Sequence, residues 1–549
     1  MTIRLVDAPL TPRPVWHRAV WDTRLTAPIL LGCLVIVGVL VRAYGLSRGL
    51  WFDETYSVFI ARAPLAEIPR LLRSYDTHPP FYYVLLHLWM AVAGESELVL
   101  RLPSLVAGAV AIALTFLLGR RVGGSMNGLL AALFLAASPY AVAASQEARM
   151  YALLTAFALG STYTLCLALE HPLRRHWILY AALQGLALYT HHFALLVVLA
   201  HGAYVLLSVG SRAHARAWLA SMVVAALLYL PWLPSLPAQI ATVRSWPSIR
   251  PPLRPSDIAD VFALWSFGGG LFGTATYLHA GAYANVLPET CRLVPLRFTD
   301  PSPPSVCLPQ PAYPLVALLP ILLLLLAGMT HLRTGERRLL LWTWLLPFAA
   351  VTVVSLEWNL FQKRYFAFLT PFFAILLAAG VVRVARAVGG MRFPVALAVT
   401  LAVPALYVAP ALNGLLTTPP THDWRGAADY LRLQAGPGDV LLFIPAFTRL
   451  PFEYYYRRPH TILTVNPQEI VEGGRVVGFR TGDALSVPLQ ALARHRTRLW
   501  VVAAAPIGVE ARLALLRQTA GSFRESRHAG FGYLHLFRWD SSLQRDQRP

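Results

Sequence analysis

The chain has 549 residues, of which 56% are hydrophobic and only 13% charged, a composition too apolar for an ordinary soluble protein of this length. The formal net charge of +20 would point to nucleic acid in a soluble chain. Nucleic acid is set aside here because much of that charge falls in short connections between apolar runs, where membrane insertion alone places it.

In chain order, a basic N-terminal arm, 1–26, precedes a series of uncharged apolar runs about 17 to 25 residues long, the length that crosses a bilayer as a helix. The runs lie near 27–46, 102–118, 127–144, 150–169, 177–190, 193–209, 218–236, 313–330, 339–355, 366–382 and 393–412, about eleven in all. The first is long for a signal-peptide core and lacks a following small-residue cleavage site, so a retained helix is expected. With the arm in the cytoplasm, GRRVGG (119–124), EHPLRRH (170–176), SRAHARAW (211–218), HLRTGERR (331–338) and VRVARAVGGMR (382–392) face inward, each with two or three arginines. The opposite connections at 138–150 and 190–193 carry one and none. The positive-inside rule therefore selects a multi-pass cell-membrane protein with a cytoplasmic N-terminus and, after an odd number of spans, an extracytoplasmic C-terminal segment.

Three longer segments lie on the outer side. In the first, 48–101, Val58, Phe59, Leu65, Ile68, Leu71 and Leu72 recur at helical spacing among Arg62, Glu67, Arg70 and Arg73, a pattern for helices lying in the interface. Its apolar run 79–94, about sixteen residues, is short for a span and is read as re-entrant or interfacial. The second, 237–312, is rich in proline and glycine and suits either a loop over a site or a spacer. It holds Cys291 and Cys307, a disulfide candidate in an oxidising compartment, whereas Cys33 and Cys166 fall inside apolar runs as packing residues. The third, 416–549, alternates helix-like and strand-like stretches: DWRGAADYLRLQAGPGD then VLLFI, LQALARHR then RLWVVAAA, VEARLALLRQTAG then FGYLHLFRW. A small α/β domain is expected there, following a membrane module over 27–415.

The ionisable residues gather at one face. Asp53 and Glu54 of GLWFDETYSV, Asp76 and His78 of YDTHPP, Glu147, Arg149 and Tyr151 of SQEARMY, His191 and His192 of YTHHF, and Lys363, Arg364 and Tyr365 of EWNLFQKRY share one predicted depth. Each has a structural alternative. Asp53 or Glu54 suits a helix cap, Glu147 and Arg149 an interfacial ion pair, and His78, before two prolines, a turn. His191 and His192 suit a polar helix end, and Lys363, the only lysine in the chain, a snorkelling cation. Five regions converging at one depth nevertheless read as an active site receiving a lipid with a charged head.

The segments LWFDETYSV, DTHPPFYYVLLHLW, RLPSLVAG, SQEARMYAL and KRYFAFLTP, in this order and spacing, resemble the membrane glycosyltransferases of the protein O-mannosyltransferase and aminoarabinose-transferase superfamily, whose architecture is the GT-C fold. The likeness covers roughly 25–410, and the tail DWRGAADYL…PGDVLLF resembles the external domain of bacterial family 39 relatives. It implies transfer of a sugar from a polyprenyl-phosphate carrier to an extracytoplasmic acceptor with inversion, and it maps the family's catalytic aspartate onto Asp53, with Glu54 its usual neighbour.

The residue chemistry agrees with that implication. An acceptor hydroxyl needs a carboxylate base within hydrogen-bond reach, the role expected of Asp53, while Glu54 shares that load, orients the acceptor or caps the next helix. Arginine holds phosphate oxygens bidentately without losing its proton, which suits Arg364, with Lys363 or Arg149 as a second cation and Tyr365 and Tyr151 as hydrogen-bonding partners. A cofactor is left as unknown: none, or Mg or Mn held by Asp76, His78, Glu147 or a histidine of the 191–192 pair. The acceptor is a glycan, lipid or protein. The alternatives are a polyprenyl-linked lipid transporter or flippase, against which the lack of an internal repeat weighs, and a non-catalytic membrane scaffold with an external binding domain.

Overall fold

The computed structural model of the chain describes residues 26–244, 253, 255–267, 318–358, 360–389, isolated positions between 398 and 416, 423–444, 446–464, 468–472, 475–480, 498–504, 523–531 and 534–541. The expected span 393–412 lies almost wholly outside the described residues, as do Cys291, Cys307 and the helix-like stretches at 489–496 and 509–521. The helices are α1 (Thr26–Ala43), α2 (Phe52–Ala61), α3 (Ile68–Tyr75), α4 (Phe81–Ala93), α5 (Glu97–Gly123), α6 (Ser125–Ala137), α7 (Pro139–Ser145), α8 (Tyr151–Glu170), α9 (Arg174–Thr190), α10 (Ala194–Ala203), α11 (Arg212–Tyr229), α12 (Leu236–Arg244), α13 (Pro255–Phe267), α14 (Leu319–His331), α15 (Thr334–Trp358), α16 (Thr370–Gly389), α17 (Trp424–Gln434) and α18 (Arg449–Tyr455).

Among the described residues, six helical runs are long and apolar enough to cross a membrane, and the bent pair α6–α7 makes seven. The expectation of about eleven refers to the whole chain, and one of those spans, 393–412, lies almost wholly outside the described residues. Apolar runs at 177–190, 193–209 and 313–330 do form helices, but short ones. At 1.5 Å per residue, the 13 residues of α14 reach about 20 Å, well under the roughly 30 Å hydrocarbon core. The 13-residue α4 is likewise short, as expected of a re-entrant or interfacial helix.

Close helix crossings and one buried arginine hold this bundle together. α14 and α16 cross at Gly328 and Gly380, where a Cβ would run into the Leu376 and Leu324 carbonyls respectively, so only glycine permits that approach. The chain bends by 64° between α6 and α7 because Pro139 lacks an N–H and cannot continue the ladder. The carbonyls of Leu135 and Ala136 freed by the bend accept from Arg42 Nη2 and Nη1 at 3.0 Å each. Arg42 Nε also donates to Ser145 Oγ at 3.1 Å, so the last turn of α1 fixes where α7 ends. Cys166 is buried, but Cys33 is exposed, because α1 buries little more than Ala27, Gly38 and Arg42; the expectation that Cys33 packs is corrected.

Where it is described, the C-terminal segment holds helices and a small sheet, as expected of a small α/β domain. Asp423 caps α17 by accepting from the Gly426 N–H at 2.8 Å, and α17 ends just before Gly436, ahead of β1 (Val440–Ile444). With β2 (Thr461–Thr464), β5 (Leu499–Ala504), β6 (Phe523–Phe531) and β7 (Leu534–Ser541), β1 forms a five-stranded sheet in the order β2-β1-β5-β7-β6; β3 (Gln468–Glu472) and β4 (Arg475–Arg480) pair separately. β1 runs parallel to β2 and β5, while β7 is antiparallel to β5 and β6. Successive side chains on a strand point to opposite faces: Leu441 and Phe443 pack under α17 and α18 against Trp424, Leu431 and Phe452, and Val440, Leu442 and Ile444 pack on the other face with Phe537 and Trp539.

Candidate active site

Five connections at one end of the bundle supply the site. Asp53 stands on the first turn of α2, and its Oδ2 lies 2.7 Å from Arg364 Nη1, both side chains about one-sixth exposed. The pair is an ion pair off the hydrogen-bond axis: Arg364 Nη1 and Nε are buried without a hydrogen-bond partner. The guanidinium lies over the rings of Trp51 and Tyr365, at 5.1 and 5.8 Å from their centroids, which fixes its plane.

Glu54, one residue on, faces inward and is fully buried. Its Oε1 accepts from Arg101 Nε at 2.7 Å and the Ala148 N–H at 2.8 Å; its Oε2 accepts from Arg101 Nη2 at 2.6 Å and the Trp51 N–H at 3.1 Å. A carboxylate offers about four acceptor directions, and all are used. The Trp51 bond is the return arm of a capping box, so the cap alternative describes Glu54 and no lone pair remains to orient an acceptor.

Beside this pair, Asp76 Oδ1 accepts from the backbone of Thr77 and lies 2.5 Å from His78 Nδ1. A carboxylate only accepts, so His78 donates through Nδ1. Asp76 Oδ2 accepts from the Tyr83 hydroxyl at 2.5 Å and lies 3.8 Å from Arg149 Nη1. Burial alone would raise the Asp76 carboxyl, but His78, Arg149 and Tyr83 outweigh it and hold it well below the usual carboxylate range. Arg149 Nη1 also donates to Ser57 Oγ at 3.1 Å and to the Tyr83 hydroxyl at 3.2 Å.

The rings of His78, His191, Tyr151 and Tyr365 form one cluster, with centroids 5.0 Å apart for His78–His191, 5.3 Å for His191–Tyr365 and 6.1 Å for Tyr151–Tyr365. Burial, with His78 and His192 nearby, keeps His191 well below the usual imidazole range, so it is neutral. Its Nδ1 accepts from the Phe193 N–H at 3.1 Å, which leaves the ring proton on Nε2. That Nε2, the Tyr151 hydroxyl, Arg149 Nε and Trp51 Nε1 are all buried without hydrogen-bond partners. Such groups are costly unless something accepts from them, and every one of them can donate.

Two expected binders point elsewhere. Lys363 pairs with Asp260 and lies 3.5 Å from Asp257 Oδ1, both on α13. His192 bonds Gln239 Oε1 at 3.0 Å and the Tyr229 hydroxyl at 3.2 Å, and burial brings it down to about 4. Arg101, Trp51, Tyr83, Ser57, Gln239, Asp257 and Asp260 were not singled out from sequence. A signal existed for Arg101, since an ionisable residue in an apolar helix demands a buried partner.

Glu147 is nearly enclosed. Burial, then the Glu54 and Asp53 charges, push its carboxyl up to about 8 against the opposing pull of Arg364 and Arg149. A carboxyl raised on folding binds its proton more tightly in the native state, so its stabilising contribution is full below the ordinary value near 4.5 and is lost as pH rises toward 8. Glu147→Gln should therefore flatten the fall in melting temperature across that window, measured by thermal unfolding in detergent at stepped pH; an unchanged slope would remove Glu147 as its source. Among the described residues, no three His, Cys, Asp or Glu side chains converge on a point that would hold a metal ion. Asp76 and His78 are spent on each other, so the donor set here does not fit Mg or Mn.

Residues 77–235 match the model of the family described as dolichyl-phosphate-mannose-protein mannosyltransferase; that stretch includes His78, Arg101, Glu147, Arg149, Tyr151 and His191 but neither Asp53 nor Arg364. No curated protein matches the chain. Among solved structures, ArnT from Cupriavidus metallidurans, bound to undecaprenyl phosphate, is 15% identical, with 93% of this chain and 97% of that one covered and a TM-score of 0.55. AglB, an archaeal oligosaccharyltransferase from Archaeoglobus fulgidus in complex with an inhibitory peptide and a dolichol-phosphate, is 13% identical, with 94% and 74% covered and a TM-score of 0.54. At these identities the shared property is the fold, and it is the GT-C architecture expected from the sequence: a helical membrane module followed by a small sheet-containing domain.

Proposed function

We propose that the chain is an integral-membrane glycosyltransferase that moves a sugar from a polyprenyl-phosphate carrier to an extracytoplasmic acceptor with inversion, its N-terminus cytoplasmic and its C-terminal domain outside. The observation that carries this reading is the Asp53–Arg364 ion pair: a carboxylate and a guanidinium 2.7 Å apart, ringed by buried donors that lack acceptors. A phosphate brings the acceptor oxygens these groups lack. The ArnT and AglB structures, with undecaprenyl phosphate and dolichol-phosphate in place, support a carrier of that class.

In this mechanism the carrier phosphate draws Arg364 away from Asp53, its planar fork bonding phosphate oxygens while Trp51 and Tyr365 keep the plane aligned. The freed Asp53 takes the proton of the acceptor hydroxyl as the hydroxyl oxygen attacks the anomeric carbon. The bond from that carbon to the phosphate oxygen breaks from the opposite face, and the electron pair leaves with the phosphate, where Arg364, Arg149, Tyr151 and the His191 Nε2–H meet the growing charge. Lys363, paired with α13, and Glu54, locked on Arg101, stand outside this sequence of events.

The test is release of undecaprenyl phosphate from a panel of undecaprenyl-phosphate hexoses and pentoses by the full chain in lipid nanodiscs, with source-cell membranes supplying acceptor. No release from any donor would overturn the reading, and movement of intact donor across a bilayer without release would favour the flippase. Arg364→Lys keeps the charge but loses the fork and the stacking, and should lower kcat by about 10²-fold or more. Wild-type turnover in that variant would exclude Arg364 as the phosphate clamp.

A further inference from the structure

The connection from α1 to α2, YGLSRGLW (44–51), presents Asp53, yet it contains no regular hydrogen-bond ladder of its own. Its backbone groups are met from two sides. From the bundle, Arg101 Nη1 donates to the Leu46 and Arg48 carbonyls at 2.6 and 2.7 Å, Arg101 Nη2 to the Gly49 carbonyl at 3.2 Å, and Gln146 Nε2 to the Tyr44 carbonyl at 2.8 Å. From the C-terminal domain, Arg425 Nη2 donates to the Ser47 carbonyl at 2.9 Å, and the Tyr455 hydroxyl accepts the Leu50 N–H at 2.6 Å. Leu50 is fully buried, so its N–H has need of that acceptor.

We propose that Tyr455 is a positioning residue for the catalytic base: by accepting the Leu50 N–H, it sets the entry to α2 and with it the place of Asp53, three residues later. The inference rests on the glycosyltransferase reading and extends it to the C-terminal domain, which thereby becomes a template for the active-site loop. Tyr455 suits this task because it belongs to both bodies. Its ring packs against the membrane-module core and against the sheet core under α18, and the Arg425 guanidinium lies over it at 5.8 Å. Its neighbour Tyr454 makes a separate latch further off: its hydroxyl donates to the Glu95 carbonyl at 2.5 Å, and Arg62, paired with Glu95 at 2.6 Å, lies over its ring at 5.2 Å. Two adjacent tyrosines thus divide the work, Tyr454 holding the domain down and Tyr455 holding the loop.

A base placed on the wrong side of its acceptor by a fraction of an ångström loses rate without losing binding energy. Tyr455→Phe in the full chain keeps the ring and removes the acceptor oxygen. The expected result is a fall in kcat of about tenfold to a hundredfold, undecaprenyl phosphate affinity close to wild type, a modest fall in melting temperature from the unpaired Leu50 N–H, and faster hydrogen exchange confined to the peptide spanning Leu46–Glu54. Tyr454→Phe should leave exchange in that peptide and kcat near wild type. Unchanged exchange and unchanged kcat in Tyr455→Phe would overturn the proposal, as would a loss of kcat that follows a matching loss of undecaprenyl phosphate affinity, or exchange raised across the whole chain rather than in that peptide. If the wild-type chain releases no undecaprenyl phosphate, the glycosyltransferase reading fails by itself, and the exchange measurement still decides whether Tyr455 holds the loop.

Discussion

Asp53→Asn is expected to lower turnover by about 10² to 10⁴-fold, the range that general-base catalysis supplies, while undecaprenyl phosphate binds no more weakly than to the wild type. The second half of this expectation separates a base from a structural acid. Asp53 and Arg364 are paired at 2.7 Å, so an incoming phosphate must compete with Asp53 for the guanidinium; asparagine keeps the volume and withdraws the competing charge. A binding measurement with undecaprenyl phosphate and a rate measurement with its sugar conjugate, on one preparation, check both halves. Loss of binding together with rate would make Asp53 a prop for the site, and full turnover in the variant would remove it from the mechanism.

The parts of this architecture that were legible in sequence are those written in local pattern. Asp53 drew notice because two acids follow an apolar run between aromatic residues, and α17 to β1 was readable because an amphipathic stretch ends at Gly-Pro-Gly before VLLFI. The placement of Lys363 was not legible. Its partners Asp257 and Asp260 stand about a hundred residues earlier in the chain, and no periodicity reports which external charges a fold will bring to face one another. Hydropathy has a related limit: it finds apolar runs, but it does not distinguish a helix that crosses lipid from a short one packed inside the bundle, since both must be apolar. The division between Asp53 and Glu54 lay between these cases. The sequence offered cap and catalyst for both; the Trp51 N–H bond gives the cap to Glu54, and Arg101, 47 residues away, donates to both its oxygens.

Arg101→Ala should be the most destabilising of the substitutions considered, by about 3 to 5 kcal/mol, the cost of stripping the partner from a buried ion pair. The Glu54 side chain has no exposure and that of Arg101 only 6%, so solvent cannot screen the abandoned carboxylate. Three loop carbonyls, those of Leu46, Arg48 and Gly49, lose their donor in the same step. Arg101→Lys should recover only part of the loss, because one ammonium with three donors cannot span both Glu54 oxygens and three carbonyls. The decisive comparison is Glu54→Leu with Arg101→Met. Replacing both charges by apolar groups removes the uncompensated carboxylate, so this double variant should melt above Arg101→Ala; it should still melt below wild type, because the loop carbonyls remain unpaired. Thermal unfolding in one detergent orders the four proteins. Were Arg101→Ala to melt with the wild type, the Glu54–Arg101 pair would not be what anchors the loop that carries Asp53, and the base would have to be held in place by Gln146 and the C-terminal domain.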